Sequence, residues 1–99
     1  MKQYTTPEQT AKLIELGFEK PRYATMFWRD NKEVTEINYT IGELIEMLPE
    51  YSNIFDFKDI ETIERRWYVS HISTLDVSAV ELIDALYDMI IKLKEERVI

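Results

Sequence analysis

Cysteine is absent from this 99-residue sequence, and histidine occurs once, as His71. Without thiols the chain can form no disulfide, no thiolate metal site and no cysteine nucleophile. Two glycines and three prolines are too few for a low-complexity linker. No apolar stretch approaches the roughly 18 residues that span a bilayer, and the N-terminus lacks the apolar run of a signal peptide. We therefore expect a soluble, cytoplasmic protein.

Apolar residues make up 45% of the chain, which is enough for one compact core. The length is that of one domain, so we expect residues 1–99 to fold as a single unit. The formal net charge is −7. Residues 41–64 concentrate the acids, because they contain seven of them against the single cation Lys58. A field of this sign repels phosphate backbones, so duplex DNA or RNA is not expected as a partner.

Two interpretations of the acidic segment are open. Its side chains can form a solvated face that keeps the protein in solution. They can instead form a surface that docks on a basic partner protein or imitates nucleic acid. The predicted partner surface consists of Glu43, Glu46, Glu50, Asp56, Asp59, Glu61 and Glu64.

The first helix is marked at both ends. Thr6 and Gln9 have the spacing of a capping box, and Pro7 stands at the first helical position, where its missing N–H costs nothing. Gly17 supplies the left-handed residue that ends a helix. The pattern predicts a helix over residues 7–16.

Alternating apolar and polar residues predict two strands, 23–29 and 33–39, joined as a hairpin. A three-residue loop, 30–32, is preferred because it places Arg29 opposite Glu33. A two-residue loop would shift the register by one position and mix the two faces.

A second capping box, Thr40 with Glu43, predicts a short helix over residues 41–48. The segment 50–64 is open between strand, helix and loop. Residues 66–72 again alternate as a strand does, and we expect a loop over 73–77.

The last segment predicts a long amphipathic helix that opens with a capping box of Ser78 and Glu81. Its apolar side chains cover roughly 200° of the helix surface, twice the arc of an ordinary surface helix. One sheet face cannot cover so wide an arc, so the helix must also meet the first helix or a second copy of the chain. The predicted dimer edge consists of Val80, Tyr87 and Ile91.

No motif indicates catalysis, a metal site or a cofactor. His71 is interpreted as a structural strand residue, and no serine stands in a nucleophile elbow. The acids of residues 56–64 lack the glycine and the alternate-residue spacing of an EF-hand loop. The cluster Arg65-Arg66-Trp67-Tyr68 has the residue types that grip single-stranded nucleic acid, but on a strand Trp67 would point inward and Arg66 outward.

Three blocks of the sequence resemble a group of small uncharacterised bacterial proteins associated with gut bacteria and with prophage or other mobile elements. These blocks are Thr6-Pro7-Glu8-Gln9 through Leu16-Gly17-Phe18, the segment YTIGELIEMLP of residues 39–49, and the segment ELIDALY of residues 81–87. They cover about half of the chain, and the second block is the most specific. The resemblance implies no activity. It does imply a glycine before the final two apolar residues, where this chain has Arg97.

The sequence thus predicts an α+β fold in the order α-β-β-α-β(β)-α, with a small antiparallel sheet of three or four strands packed on one face by two or three helices. The leading functional hypothesis is a non-enzymatic protein-interaction module, an accessory protein of a mobile element, acting as a monomer or homodimer. The alternative is a small-ligand-binding protein or enzyme with a pocket between the sheet and the C-terminal helix.

Overall fold

The computed structural model describes residues 2–22, 24–58, 60–61, 64–72 and 75–99. In these residues three helices and five strands follow one another in the order α-β-β-α-β-β-β-α. The helices are α1 (Pro7–Glu15), α2 (Ile41–Met47) and α3 (Leu82–Glu95). The strands are β1 (Ala24–Arg29), β2 (Lys32–Ile37), β3 (Ser52–Lys58), β4 (Arg65–His71) and β5 (Asp76–Ala79). The predicted α+β class and order are confirmed.

The strands form two separate antiparallel sheets. One is the hairpin β1-β2, and the other is a three-stranded sheet in the order β3-β4-β5. The strand β3 comes from the segment 50–64, which the sequence left open. Asp59, Thr62 and Ile63 of that segment lie outside the described residues.

The core lies between α3 and one face of the three-stranded sheet. That inner face carries the row Ile54, Val69 and Val77, which the strand register aligns. The α3 side chains that are buried are Leu82, Ile83, Ala85, Leu86, Met89, Ile90 and Leu93. Leu13 of α1 and Leu44 of α2 join the same cluster. The sheet, α2 and Leu13 therefore cover the buried part of the apolar arc of α3, whereas Tyr87 and Ile91 are half-buried.

Both N-terminal capping boxes form as predicted. The Gln9 N–H donates to Thr6 Oγ1 at 3.1 Å, and the Glu43 N–H donates to Thr40 Oγ1 at 3.1 Å. The first helix ends one residue earlier than predicted, and Gly17 takes a left-handed φ of 98°. These signals are local in sequence, which is why they could be predicted.

The prediction of a third capping box, Ser78 with Glu81, is wrong. Ser78 lies in β5, where it pairs with Tyr68, and the helix begins at Leu82 behind Glu81. Pairing with β4 gives the backbone of this segment its hydrogen-bond partners and half-buries Val77, Ser78 and Ala79. The predicted loop is also shortened, since Asp76 and Val77 belong to β5 and residues 73–74 lie outside the described residues.

The predicted three-residue hairpin loop is wrong as well. The register pairs Arg29 with Lys32 and Trp28 with Glu33, so the turn has two residues, Asp30 and Asn31. Their φ values are 52° and 62°. A two-residue turn with both residues left-handed matches the twist of the strands, and aspartate and asparagine tolerate that conformation.

A buried polar network holds the base of the hairpin. The Thr10 hydroxyl donates to Asn38 Oδ1 at 2.6 Å and lies 2.7 Å from the Thr5 hydroxyl. The Tyr39 N–H donates to Thr5 Oγ1 at 3.0 Å. Thr5, which precedes α1, and Thr10 of α1 are thereby joined to Tyr39 and Asn38, which follow β2.

Candidate interaction surface

Three aromatic rings lie together on the outer face of the three-stranded sheet, the face turned away from α3. Alternation along the strands brings Phe55 and Phe57 of β3 to the same side as Tyr68 of β4. The Phe55 and Tyr68 rings are stacked, with centroids 5.5 Å apart and planes 4° apart. The Phe57 ring lies 4.6 Å from the Tyr68 centroid at a tilt of 56°. We call these three residues the outer aromatic face.

This face is open to solvent although its members are large and apolar. Phe55 keeps 48% of its surface exposed, and Phe57 and Tyr68 are half-buried. In the core cluster, by contrast, the β4 residue of the neighbouring row, Val69, is fully buried. An exposed cluster of this kind is typical of a site that binds another molecule.

Charged groups border the outer aromatic face. Arg66 is opposite Phe57 in the strand register. Its guanidinium donates to Glu64 at 3.2 Å and reaches the carbonyl and hydroxyl oxygens of Ser78 at 3.5 Å. Asp76, at the start of β5, is exposed. The rim therefore has one arginine, paired with Glu64, and one further acid, Asp76.

The predicted partner surface is not one continuous patch. Glu43 is only 6% exposed, because its carboxylate accepts hydrogen bonds from the backbone N–H groups of Arg22 and Thr40. A buried carboxylate cannot contact a partner protein, so Glu43 does not belong to the partner surface. Glu50 precedes β3 and Glu61 follows it, which separates them by the length of a seven-residue strand, about 20 Å.

The other predicted acids have basic neighbours. Glu46 is 2.6 Å from Arg22 Nη2, and Glu64 is 3.2 Å from Arg66 Nη1. Asp56 is 4.0 Å from Arg65 Nη2. Asp59 lies outside the described residues. The acids that border the outer aromatic face are thus Glu64 and Asp76, and Asp76 was not among those predicted.

A cleft of about 250 Å³ lies between the segment that follows α1 and helix α2. Arg22 spans it, with Nη2 2.6 Å from Glu46 and Nε 3.7 Å from Glu43. Tyr39 lies at its floor and donates its hydroxyl proton to the Glu19 carbonyl. Burial, and secondarily the charge of Glu43, raises the pKa of Tyr39. The single arginine thus pairs with two carboxylates of α2 and fastens the segment before β1 to that helix.

The alternative hypothesis places a ligand pocket between the sheet and the C-terminal helix. The described residues form this cleft and two others, of about 300 and 270 Å³, at other places: one between α1 and the end of β2, and one beside the N-terminal segment. Where α3 meets the sheet, side chains fill the space, as Val69, Ile83 and Leu86 are fully buried there.

The hairpin has a second exposed apolar surface. Met26, Trp28 and Ile37 are 63%, 73% and 55% exposed. Met26 and Trp28 alternate to one face of β1, and Ile37 pairs with Ala24 on the same face. No residue of β1 or β2 belongs to the core cluster as far as the structure describes them.

The predicted dimer edge is divided between two elements. Val80 precedes α3 and is 48% exposed, whereas Tyr87 and Ile91 lie on α3 and pack partly against the core. The edge is therefore not a single helix surface. Contact of a second copy with Tyr87 and Ile91 stays a prediction.

Across the described part of the chain, no group of three or more histidine, aspartate or glutamate side chains could hold a metal ion. No helix among the described residues is long and apolar enough to cross a membrane. His71 ends β4, where its backbone N–H donates to the Leu75 carbonyl at 2.9 Å.

The sequence carries a signal for the outer aromatic face. Phe55 and Phe57 stand two residues apart, and Tyr68 alternates with two inward residues, Trp67 and Val69.

Comparison of the chain with models of protein families, with curated proteins and with solved structures finds no match. The surfaces described above are therefore the basis for a proposed function.

Proposed function

We propose that this chain is a non-enzymatic protein-interaction module that binds a basic partner protein across its outer aromatic face. The observation that carries the proposal is a cluster of three rings on one sheet face of an acidic protein, with Phe55 48% exposed and Phe57 and Tyr68 half-buried. The resemblance noted above would make such a module an accessory protein of a mobile element.

The rings supply the apolar part of the binding energy. Fully burying an exposed phenylalanine side chain contributes about 1.5–3 kcal/mol, and Phe55, which is 48% exposed, could contribute about half of that. Aromatic residues are also enriched at the centres of protein interfaces, where a few side chains carry most of the affinity. A cluster of three rings is the size of such a centre.

The charge of the chain selects the class of partner. With a net charge of −7, the protein attracts cations at long range and repels polyanions. Arginine and lysine side chains also bind the faces of aromatic rings. Glu64 and Asp76 at the rim add carboxylates for the same cations. A segment in which basic and apolar side chains alternate would match both features.

Single-stranded nucleic acid is the competing ligand for a sheet face with rings and an arginine. Its phosphates would meet a guanidinium that already donates to Glu64, and the field of the acidic chain opposes them. The protein partner is therefore the better-supported proposal.

The test uses defined probes in place of an unknown partner. We expect a fluorescent peptide of alternating arginine and leucine to bind, with an affinity that falls as salt rises. Phe55→Ser should weaken this binding by about tenfold, because it removes an anchor residue at the centre of the surface. Fluorescence anisotropy at several salt concentrations measures both effects.

Three controls decide the outcome. Trp28→Ser removes a large exposed side chain from the other sheet and should leave peptide affinity unchanged. A peptide of alternating glutamate and leucine should not bind. Equal binding of the acidic peptide, or equal loss in both serine variants, would refute the proposal, and tighter binding of a thymidine oligonucleotide would favour the nucleic-acid ligand.

A further inference from the structure

We infer that the hairpin β1-β2 joins two copies of this chain, with β1 of one copy paired antiparallel to β1 of the other around a two-fold axis. The inference concerns a surface remote from the outer aromatic face and does not depend on the proposed function. It starts from the edges of the two sheets.

An exposed strand edge invites pairing with another strand unless charges or proline protect it. β2 is protected, since three of its six residues are charged: Lys32, Glu33 and Glu36. The edge strands of the other sheet are protected as well, by Asp56 and Lys58 in β3 and by Asp76 in β5. β1 has no charged residue from position 24 to 28, and Arg29 is its last residue. Its outer edge is the unprotected one.

In the part of the hairpin that the structure describes, the only strand pairing is between β1 and β2. An isolated two-stranded ribbon is marginally stable in water, whereas three or more strands with an apolar face are stable. Pairing of two β1 strands makes a four-stranded sheet with the Met26 and Trp28 side chains of both copies on one face. Both outer edges are then the charged β2 strands, so growth stops at two copies.

Charge identifies a second copy as the occupant. Residues 20–37 have a net charge of +1, so the remainder of the chain carries −8 and repels another copy of itself. The four cations and three acids of this segment are Lys20, Arg22, Arg29, Lys32, Asp30, Glu33 and Glu36. Antiparallel pairing about Met26 brings the Asp30 end of one strand to the Arg22 end of the other. Asp30 of one copy then lies near Arg22 of the other, whose guanidinium also pairs with Glu46 of its own chain at 2.6 Å.

The strand register shows which backbone N–H groups are free of the hairpin's own hydrogen bonds and point to its outer edges. A two-residue turn closes on a hydrogen-bonded pair, here Arg29 and Lys32. Because hydrogen-bonded and non-hydrogen-bonded pairs alternate, the N–H of Met26 points to the outer edge of β1 and the N–H of Thr35, its partner, points to the outer edge of β2.

These two positions give a matched test. Met26→Pro removes an outward N–H from β1, and Thr35→Pro removes an outward N–H from β2; neither removes a hydrogen bond within the hairpin. Light scattering and sedimentation of the full chain should show a concentration-dependent dimer. Met26→Pro should raise its dissociation constant at least tenfold, and Thr35→Pro should leave it unchanged. A monomeric wild type, or equal behaviour of the two variants, would overturn the inference.

Disulfide cross-linking of single-cysteine variants gives a second test, which does not depend on proline substitutions that could distort the hairpin. In a two-fold antiparallel strand pair one residue faces its own copy at a distance that a disulfide can span. Since the chain has no cysteine of its own, a cysteine placed in turn at each position from 24 to 28 should give one variant that cross-links rapidly under mild oxidation. Cysteines at positions 33 to 36 should not. Cross-linking confined to the second set would contradict the β1 interface.

Discussion

The three-stranded sheet with α3 and the hairpin β1-β2 are built on different principles. In the first region Val69, Leu86 and Met89 are fully buried, and residues distant in sequence share one core. In the second region Met26 and Trp28 are largely exposed. Among the side chains that the structure describes, apolar burial holds the first region, whereas the hairpin is joined by a tight turn and by the pairing of its two strands.

The difference indicates that stability against unfolding is unequal between the two regions. Elements that bury apolar surface unfold with the whole domain, whereas elements with few buried contacts open at a lower free energy. The hairpin should therefore open separately from the rest of the chain when it is not paired with another strand. The base of the hairpin is the exception, because the buried Asn38 and Thr10 tie it to α1.

The largest expected effect comes from a buried charge. Leu86 is fully buried at the centre of α3, so Leu86→Asp places a carboxylate in the core and should cost more than about 4 kcal/mol, enough to unfold a small domain. Ile37→Asp is the matched substitution in the hairpin, since isoleucine is an isomer of leucine and Ile37 is 55% exposed. It should cost less than about 1 kcal/mol.

Urea unfolding followed by circular dichroism, at a protein concentration low enough to keep the chain monomeric, measures both changes. If Ile37→Asp unfolded the chain as Leu86→Asp does, the hairpin would be part of the cooperative core. Cooperative melting of Leu86→Asp near the wild-type temperature would show that α3 is not buried as described.

Local signals account for what the sequence predicted correctly. Each capping box needs only a hydroxyl residue and a residue three positions later, so Thr6 with Gln9 and Thr40 with Glu43 were recognisable. Ser78 with Glu81 has the same spacing, yet Ser78 pairs with Tyr68 in the sheet. That competing strand pairing is not local, and a spacing rule cannot detect it.

The outer aromatic face was missed for a related reason. The pairing of β3 with β4 decides which face of the sheet carries Phe55. Phe55 lies in residues 50–64, whose secondary structure the sequence left open. The acids of the same segment were grouped by their nearness in sequence. In the structure, β3 separates Glu50 from Glu61 and capping buries Glu43. Side chains close in sequence can point apart on a strand, and side chains far apart can meet.

A smaller effect compares two left-handed residues, one in each region. Arg97 follows α3 with a φ of 59°, and Asn31 lies in the hairpin turn with a φ of 62°. Glycine adopts this conformation without strain, so Arg97→Gly should raise the free energy of unfolding by about 0.5–1 kcal/mol. The Val98 N–H already donates to the Leu93 carbonyl at 2.9 Å, which closes the end of the helix.

Asn31→Gly should stabilise the hairpin alone. If the hairpin opens separately, this substitution leaves the unfolding of the core unchanged and slows hydrogen exchange only at residues 24–37. Denaturant unfolding combined with hydrogen exchange distinguishes the two variants. An equal gain in global stability from both would show that the two regions unfold as one.

The smallest effect concerns two carboxylates one turn apart on α3. Burial raises the pKa of Asp88, and the charge of Asp84 raises it further. Burial acts in the same direction on Asp84, but hydrogen bonds from Lys2 and Gln9 and the charge of Lys2 outweigh it, so the pKa of Asp84 is lowered. The Lys2 Nζ donates to Asp84 at 2.8 Å. Asp84 therefore ties the N-terminal segment, which also holds the base of the hairpin, to α3.

The two substitutions should act in opposite directions. A carboxyl group whose pKa is lowered by folding stabilises the protein above its unfolded pKa, and that contribution is lost as the pH falls through the folded pKa. A carboxyl group whose pKa is raised destabilises the protein when ionised, and the cost disappears below the unfolded pKa of about 3.9. At neutral pH, Asp84→Asn should thus lower stability and Asp88→Asn should raise it, each by a few tenths of a kcal/mol because the groups are partly exposed. Urea unfolding across the acidic range should show both differences from wild type closing as the pH falls, and a change of the same sign in both variants would mean that Lys2 does not reach Asp84 in solution.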